Sequence, residues 1–125
     1  MSNKPNRYQK VLGCLLGAAV GDAMGSATET KSTREIEKTF GGRVRDFQTP
    51  PEDIPAAGRK AGQITDAFSI PYVLTNHLLN AGGKASRKLG EEALLEWGQS
   101  EWFGPFAGMT TRKVVNRLNE DHSLG

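Results

Sequence analysis

Apolar residues recur at helical spacing along most of this chain. Tyr8, Leu12, Leu15, Leu16, Ala19 and Ala23 predict a first helix from about Arg7 to Met24. Gly13, Gly17, Gly21 and Gly25 fall at every fourth residue of the same stretch. An interior glycine costs a helix up to about 1 kcal/mol relative to alanine, so such a stripe asks for a compensating gain. Close approach of another backbone is the simplest, and it predicts that this helix is central. Gly25 is expected to end it and to swing Glu29 into a loop, off the face that carries Asp22.

The second predicted helix is short. Ser32-Thr33-Arg34-Glu35 has the capping-box pattern, Ile36 and Phe40 follow, and Gly41-Gly42 stops the element. Residues 43–47 read as a brief extended piece. Residues 49–62, with Pro50, Pro51, Pro55 and Gly58, form a long loop of a kind that is often functional. A third helix carries Ile70, Val73, Leu74, Leu78 and Ala81 on one face and ends at Gly82-Gly83. Pro71 leaves two readings of its start: a kinked helix from Thr65, or a regular one from near Ser69. Leu89, Ala93, Leu94 and Trp97 mark a fourth helix from Ser86 to about Ser100. After a turn at 104–108, Thr110 or Thr111 is expected to cap a fifth, bearing Val114, Val115 and Leu118. The class is all-α, read as a single domain over residues 1–125.

Composition narrows this little. Charged residues are 24% and hydrophobic residues 37% of the 125, a globular balance. The net charge of +2, with basic residues scattered along the chain, argues against a nucleic-acid partner. Cys14 is the only cysteine, so an internal disulfide is impossible and a cytoplasmic setting is favoured, with the thiol expected to be buried. The apolar run Val11–Val20 reads as too short to span a bilayer, and Asp22 follows it closely, so no membrane role is expected.

Candidate chemistry centres on Gly62 to Ile70. Thr65 and Asp66 put two hard oxygen donors at the mouth of the third helix, a position that suits an ordinary N-cap and also an ion or anion site. Asp22 and Glu29 fall at another helix end. His77 lies near an apolar face and reads as a hydrogen-bonded packing residue, and His122 as a surface residue. The His and Cys spacings match no structural zinc site, and the glycines match neither the P-loop nor the dinucleotide fingerprint.

Four segments occur in one order: Gly17-Ala18-Ala19-Val20-Gly21-Asp22-Ala23-Met24-Gly25 with Glu29; Phe40-Gly41-Gly42-Arg43-Val44; Gly62-Gln63-Ile64-Thr65-Asp66; and Gly108-Met109-Thr110-Thr111-Arg112. Together they resemble the ADP-ribosylglycohydrolase family. The resemblance implies the N-terminal part of an all-α ADP-ribosylglycohydrolase-like helical bundle. It also implies a site for Mg²⁺ or Mn²⁺, and hydrolysis of the bond at the distal ribose of ADP-ribose on a modified side chain or related conjugate.

By the same resemblance, Thr65 and Asp66 are the first two residues of a Thr-Asp-Asp metal motif, with Asp66 also catalytic. Glu29 is the acidic catalytic residue at the substrate end, and Gly108, Met109, Thr110 and Thr111 approach the ADP-ribose. Two departures stand out. Ala67 occupies the place of the motif's second Asp, by deliberate substitution or by natural loss, and should weaken metal binding. The family's closing metal motif lies beyond the part of the fold that this chain matches. The expectation is that a second chain or a further copy supplies it, that the chain is a fragment, or that the family reaction is lost. The resulting reading is a metal-dependent hydrolase, incomplete or impaired in this chain. The alternative is a non-catalytic module that binds ADP-ribose, a nucleotide or a protein partner.

Overall fold

The computed structural model describes residues 4–123. Among them every regular element is a helix, as the apolar spacing predicts. The extended piece expected at 43–47 does not pair into a strand. The chain divides into two compact units, Met1–Ile64 and Thr65–Gly125.

In the first unit, α1 is Arg7–Gly25, a 3-10 turn covers Ser26–Thr28, and α2 is Thr33–Phe40. Asn6 caps α1: its side chain accepts from the Gln9 N–H, and the Gln9 side chain accepts from the Asn6 N–H, both at 2.9 Å. At the other end the Ser26 N–H returns to the Asp22 carbonyl. The capping box of α2 is present as expected, with Glu35 accepting from the Ser32 N–H at 2.8 Å. Gly41 closes α2 at φ +73°, in the left-handed region that glycine enters without a Cβ penalty. Lys31 pairs with Asp53, which ties the start of α2 to the long loop.

The Ser32 hydroxyl and N–H hold the Glu35 carboxyl below its usual range. A lowered folded-state value adds stability above the ordinary carboxylate pKa, and that stability is lost as pH falls through the lowered one. Amide protection in α2 should therefore fall across that acid window. Glu35→Gln should flatten the dependence, and an unchanged profile in that variant would remove the carboxylate from the account.

α1 departs from expectation. A Cβ built on Gly13, Gly17, Gly21 or Gly25 meets nothing within 4 Å, so the close backbone neighbour that the stripe predicts is absent among the described residues. Tyr8, Val11, Leu12, Leu15, Leu16 and Val20 are exposed, and so is Cys14. The helix is apolar over most of its circumference, a pattern that belongs to an element enclosed on several sides, yet only Ala23 within it is buried. It also runs past the Val11–Val20 stretch: residues 7–28 contain an 18-residue window of mean hydropathy 1.4, long and apolar enough to cross a membrane. Core helices and signal sequences share that property, so it carries little weight.

The second unit holds α3 (Asp66–Asn80), α4 (Arg87–Gly98), the one-turn α5 (Phe103–Phe106) and α6 (Met109–Ser123). Ser86 caps α4 by accepting from the Leu89 N–H. α3 ends in a Schellman arrangement: the Gly83 N–H reaches the Leu78 carbonyl at 2.8 Å and the Gly82 N–H the Leu79 carbonyl at 3.1 Å. α4 packs against both α3 and α6. Val73, Ala93 and Trp97 form the core, with Ile70, Leu74, Trp102, Phe103 and Ala107 against it. His77 accordingly packs on α4 and shares a hydrogen bond with Glu96 at 2.8 Å.

Candidate functional site

α3 begins at Asp66 and runs through Pro71 without interruption. Pro71 has no N–H for the Ala67 carbonyl, but packing of α3 on α4 carries the helix across that gap. Thr65 is the N-cap. Its backbone is extended (φ −108°, ψ −171°) and its Oγ1 accepts from the Ala67 N–H at 3.1 Å. The Thr65 carbonyl takes the first helical bond, from the Ser69 N–H at 3.0 Å. Thr65 is buried and Asp66 half-buried, at the end of the helix where unused N–H groups and the macrodipole favour negative charge. The ordinary capping role is therefore real, and it fixes where these two oxygen donors sit.

Ala67 lies on the same turn and is exposed. Among the described residues no three His, Cys, Asp or Glu side chains gather as a metal site requires. One hydroxyl and one carboxylate are too few for Mg²⁺ or Mn²⁺, which take about six oxygens. Thr65 and Asp66 thus do not complete a metal site by themselves.

The second predicted segment, Gly108 to Thr111, opens α6. Neither threonine caps the helix, because it starts at Met109 and its first bond runs from the Arg112 N–H to the Gly108 carbonyl at 2.9 Å. With Met109 as the first residue of α6, both threonines lie inside the first turn, past the cap position. Gly108, Met109 and Thr110 are exposed and Thr111 half-buried. The first N–H groups of α6 have no partner within the helix.

Glu29 and Asp22 belong to the first unit. Glu29 follows the 3-10 turn, is exposed, and precedes Thr30, which sits at φ +63°. A β-branched residue in that region costs on the order of 1–3 kcal/mol. The turn is held regardless: Thr30 Oγ1 donates to the Glu29 carbonyl at 2.6 Å, Thr28 Oγ1 to the Gly25 carbonyl at 3.1 Å, and the Lys31 N–H to the Thr28 carbonyl at 3.1 Å. Strain maintained beside a candidate acidic residue is a feature of functional turns.

Two groups that sequence reasoning passed over organise the second unit. Trp97 Nε1 donates to Ser69 Oγ at 2.9 Å, with both residues fully buried. Arg112 Nη2 donates to the carbonyls of Phe103, Gly104 and Ala107 at 3.4, 3.0 and 3.3 Å. Ser69 stands one turn before Val73 on the apolar face of α3, and a polar residue there, with a tryptophan elsewhere in need of an acceptor, was the available signal. Arg112 gave no signal beyond its place after Thr110-Thr111.

Comparison with known proteins identifies the family. The family model described as ADP-ribosylglycohydrolase matches residues 3–124. "Uncharacterized protein YegU" of Escherichia coli (strain K12) is 32% identical over 91 residues, covering 73% of this chain and 27% of that protein. This chain therefore spans about 27% of the length of the curated relative it matches. No solved structure is a significant match. With a family match over nearly its whole length and a helical fold that places the Thr65-Asp66 pair at a helix start, this chain belongs to the ADP-ribosylglycohydrolase family.

Proposed function

We propose that this chain forms part of a metal-dependent hydrolase that removes ADP-ribose from a modified protein side chain or a related conjugate. The observation that carries the reading is the family match over residues 3–124, with Thr65 and Asp66 at the start of α3. In it, Asp66 accepts hydrogen bonds from ribose hydroxyls or serves as a metal ligand beside Thr65. The open N–H groups at the start of α6 receive the diphosphate. By the family resemblance, Glu29 on its strained turn serves as an acidic catalytic residue. The remaining oxygen ligands come from a part of the family fold outside this chain or from another chain, and cytoplasmic location belongs to the same proposal.

A second reading is favoured by one feature, Ala67 in a turn with too few donors for an ion. It makes the chain a module that holds ADP-ribose without turning it over. Titration calorimetry with ADP-ribose, with and without Mg²⁺, separates the two. Metal-enhanced binding supports the hydrolase, binding that stays metal-indifferent after Ala67→Asp and a segment carrying the other ligands are added supports the module, and no binding rejects both.

Ala67→Asp supplies the decisive variant. Because residue 67 is exposed and in the first turn of α3, an added carboxylate is tolerated and gains about 0.3–1 kcal/mol from the helix dipole. Combined with a family segment carrying the other ligands, it is expected to raise Mg²⁺ affinity at least about tenfold and to restore ADP-ribose release from a mono-ADP-ribosylated protein. Metal bound in full with still no release would overturn the hydrolase reading.

A further inference from the structure

Arg112 occupies an unusual place in the second unit. Its backbone N–H closes the first turn of α6 on Gly108, while its side chain reaches back over the segment that delivers the chain to that turn. One guanidinium nitrogen serves the carbonyls of Phe103, Gly104 and Ala107, and the guanidinium carbon lies 4.9 Å from the Phe103 ring centroid. α5 is a single turn containing Pro105, and the Ala107 N–H to Phe103 carbonyl bond at 3.1 Å is its main internal tie. It is therefore too short to hold its own geometry. The planar, delocalised cation holds it from outside, by stacking and by fixed donor directions that an ammonium lacks.

The anchor is continuous with the core. Phe103 meets Trp97 edge to face, with centroids 5.7 Å apart and planes at 86°. Trp97 donates to Ser69, and the Ser69 N–H bonds to the Thr65 carbonyl at 3.0 Å. A chain of ring contacts and hydrogen bonds thus joins the start of α6 to the start of α3. We propose that Arg112 is a positioning residue: it locks the Phe103–Gly108 turn so that the first turn of α6 is presented, ready formed, to the diphosphate of ADP-ribose. The assignment of that ligand rests on the function proposed above; the locking of the turn does not.

Arg112→Lys keeps the charge and removes the planar fork, so it tests the geometry without deleting a cation. The Ala107 and Arg112 amides, each hydrogen-bonded at this turn, report on it by hydrogen exchange. They should exchange about tenfold faster in the variant, while amides in the middle of α3 and α4 change less than about twofold. Calorimetry should show the Kd for ADP-ribose rising by about tenfold. Unchanged exchange at Ala107 and Arg112, or a uniform rise across α3, α4 and α6, overturns the proposal, the second because it makes Arg112 merely structural. Local loosening with unaltered ADP-ribose affinity overturns its link to the ligand. If the parent chain binds no ADP-ribose, the proposed function fails, and the exchange pattern still accepts or rejects the locking role.

Discussion

Trp97→Ala is expected to cost the second unit about 3–5 kcal/mol, enough to unfold much of it. Trp97 is fully buried, packs with Val73 and Ala93, and meets Phe103 edge to face. A tryptophan buries about 150–250 Å² of surface, so truncation leaves a large cavity that α3, α4 and α6 cannot all close. It also strands the buried Ser69 hydroxyl, whose partner is the indole N–H at 2.9 Å. Trp97→Phe separates these terms. It keeps most of the ring and loses the hydrogen bond, at about 1–3 kcal/mol, part of which Ser69→Ala should return. Urea unfolding followed by circular dichroism measures each variant. A loss under about 1 kcal/mol for Trp97→Ala would mean that the core lies elsewhere.

Gly98→Ala should destabilise, against the usual gain for such a change in a helix. Alanine is ordinarily better than glycine there by up to about 1 kcal/mol. At the last residue of α4, however, a Cβ would overlap Val115 Cγ1, and the fully buried, β-branched Val115 on α6 would have to shift within its packing. Overpacking of this kind costs about 1–3 kcal/mol, which exceeds the helical gain. Val115→Ala creates the missing space, so the double variant should be more stable than Val115→Ala alone. A double-mutant cycle in urea should give a favourable coupling of about 0.5–3 kcal/mol. Additive behaviour would show that α4 and α6 do not meet at this point.

Both expectations concern contacts that no local pattern reveals. Ser69 and Trp97 are 28 residues apart, and nothing near either one identifies the other. Capping is different. Ser32 with Glu35, Ser86, and the Gly82-Gly83 end of α3 follow from hydrogen bonds among residues within five positions of each other, and they stand where the sequence places them. Where a local rule had a tertiary rival, the rival won. Pro71 does not delay α3 to Ser69: the helix starts at Asp66 behind its Thr65 cap, and its packing on α4 offsets one lost bond. Thr110 and Thr111 do not cap α6, because it starts at Met109, next to the turn that Arg112 braces.

The sequence by itself determined the helical class, most helix limits, the family resemblance and the placing of Thr65 and Asp66 at a helix mouth. All of these depend on spacing, caps and short motifs, which act over a turn or two of chain. Tertiary structure alone decided how the apolar faces meet, that Trp97 and Ser69 pair, and that Arg112 braces the turn before α6. It also decided that the glycine stripe of α1 meets no backbone among the described residues and that Cys14 is exposed. A stripe of small residues specifies that a close neighbour would fit, and only packing determines whether one is there.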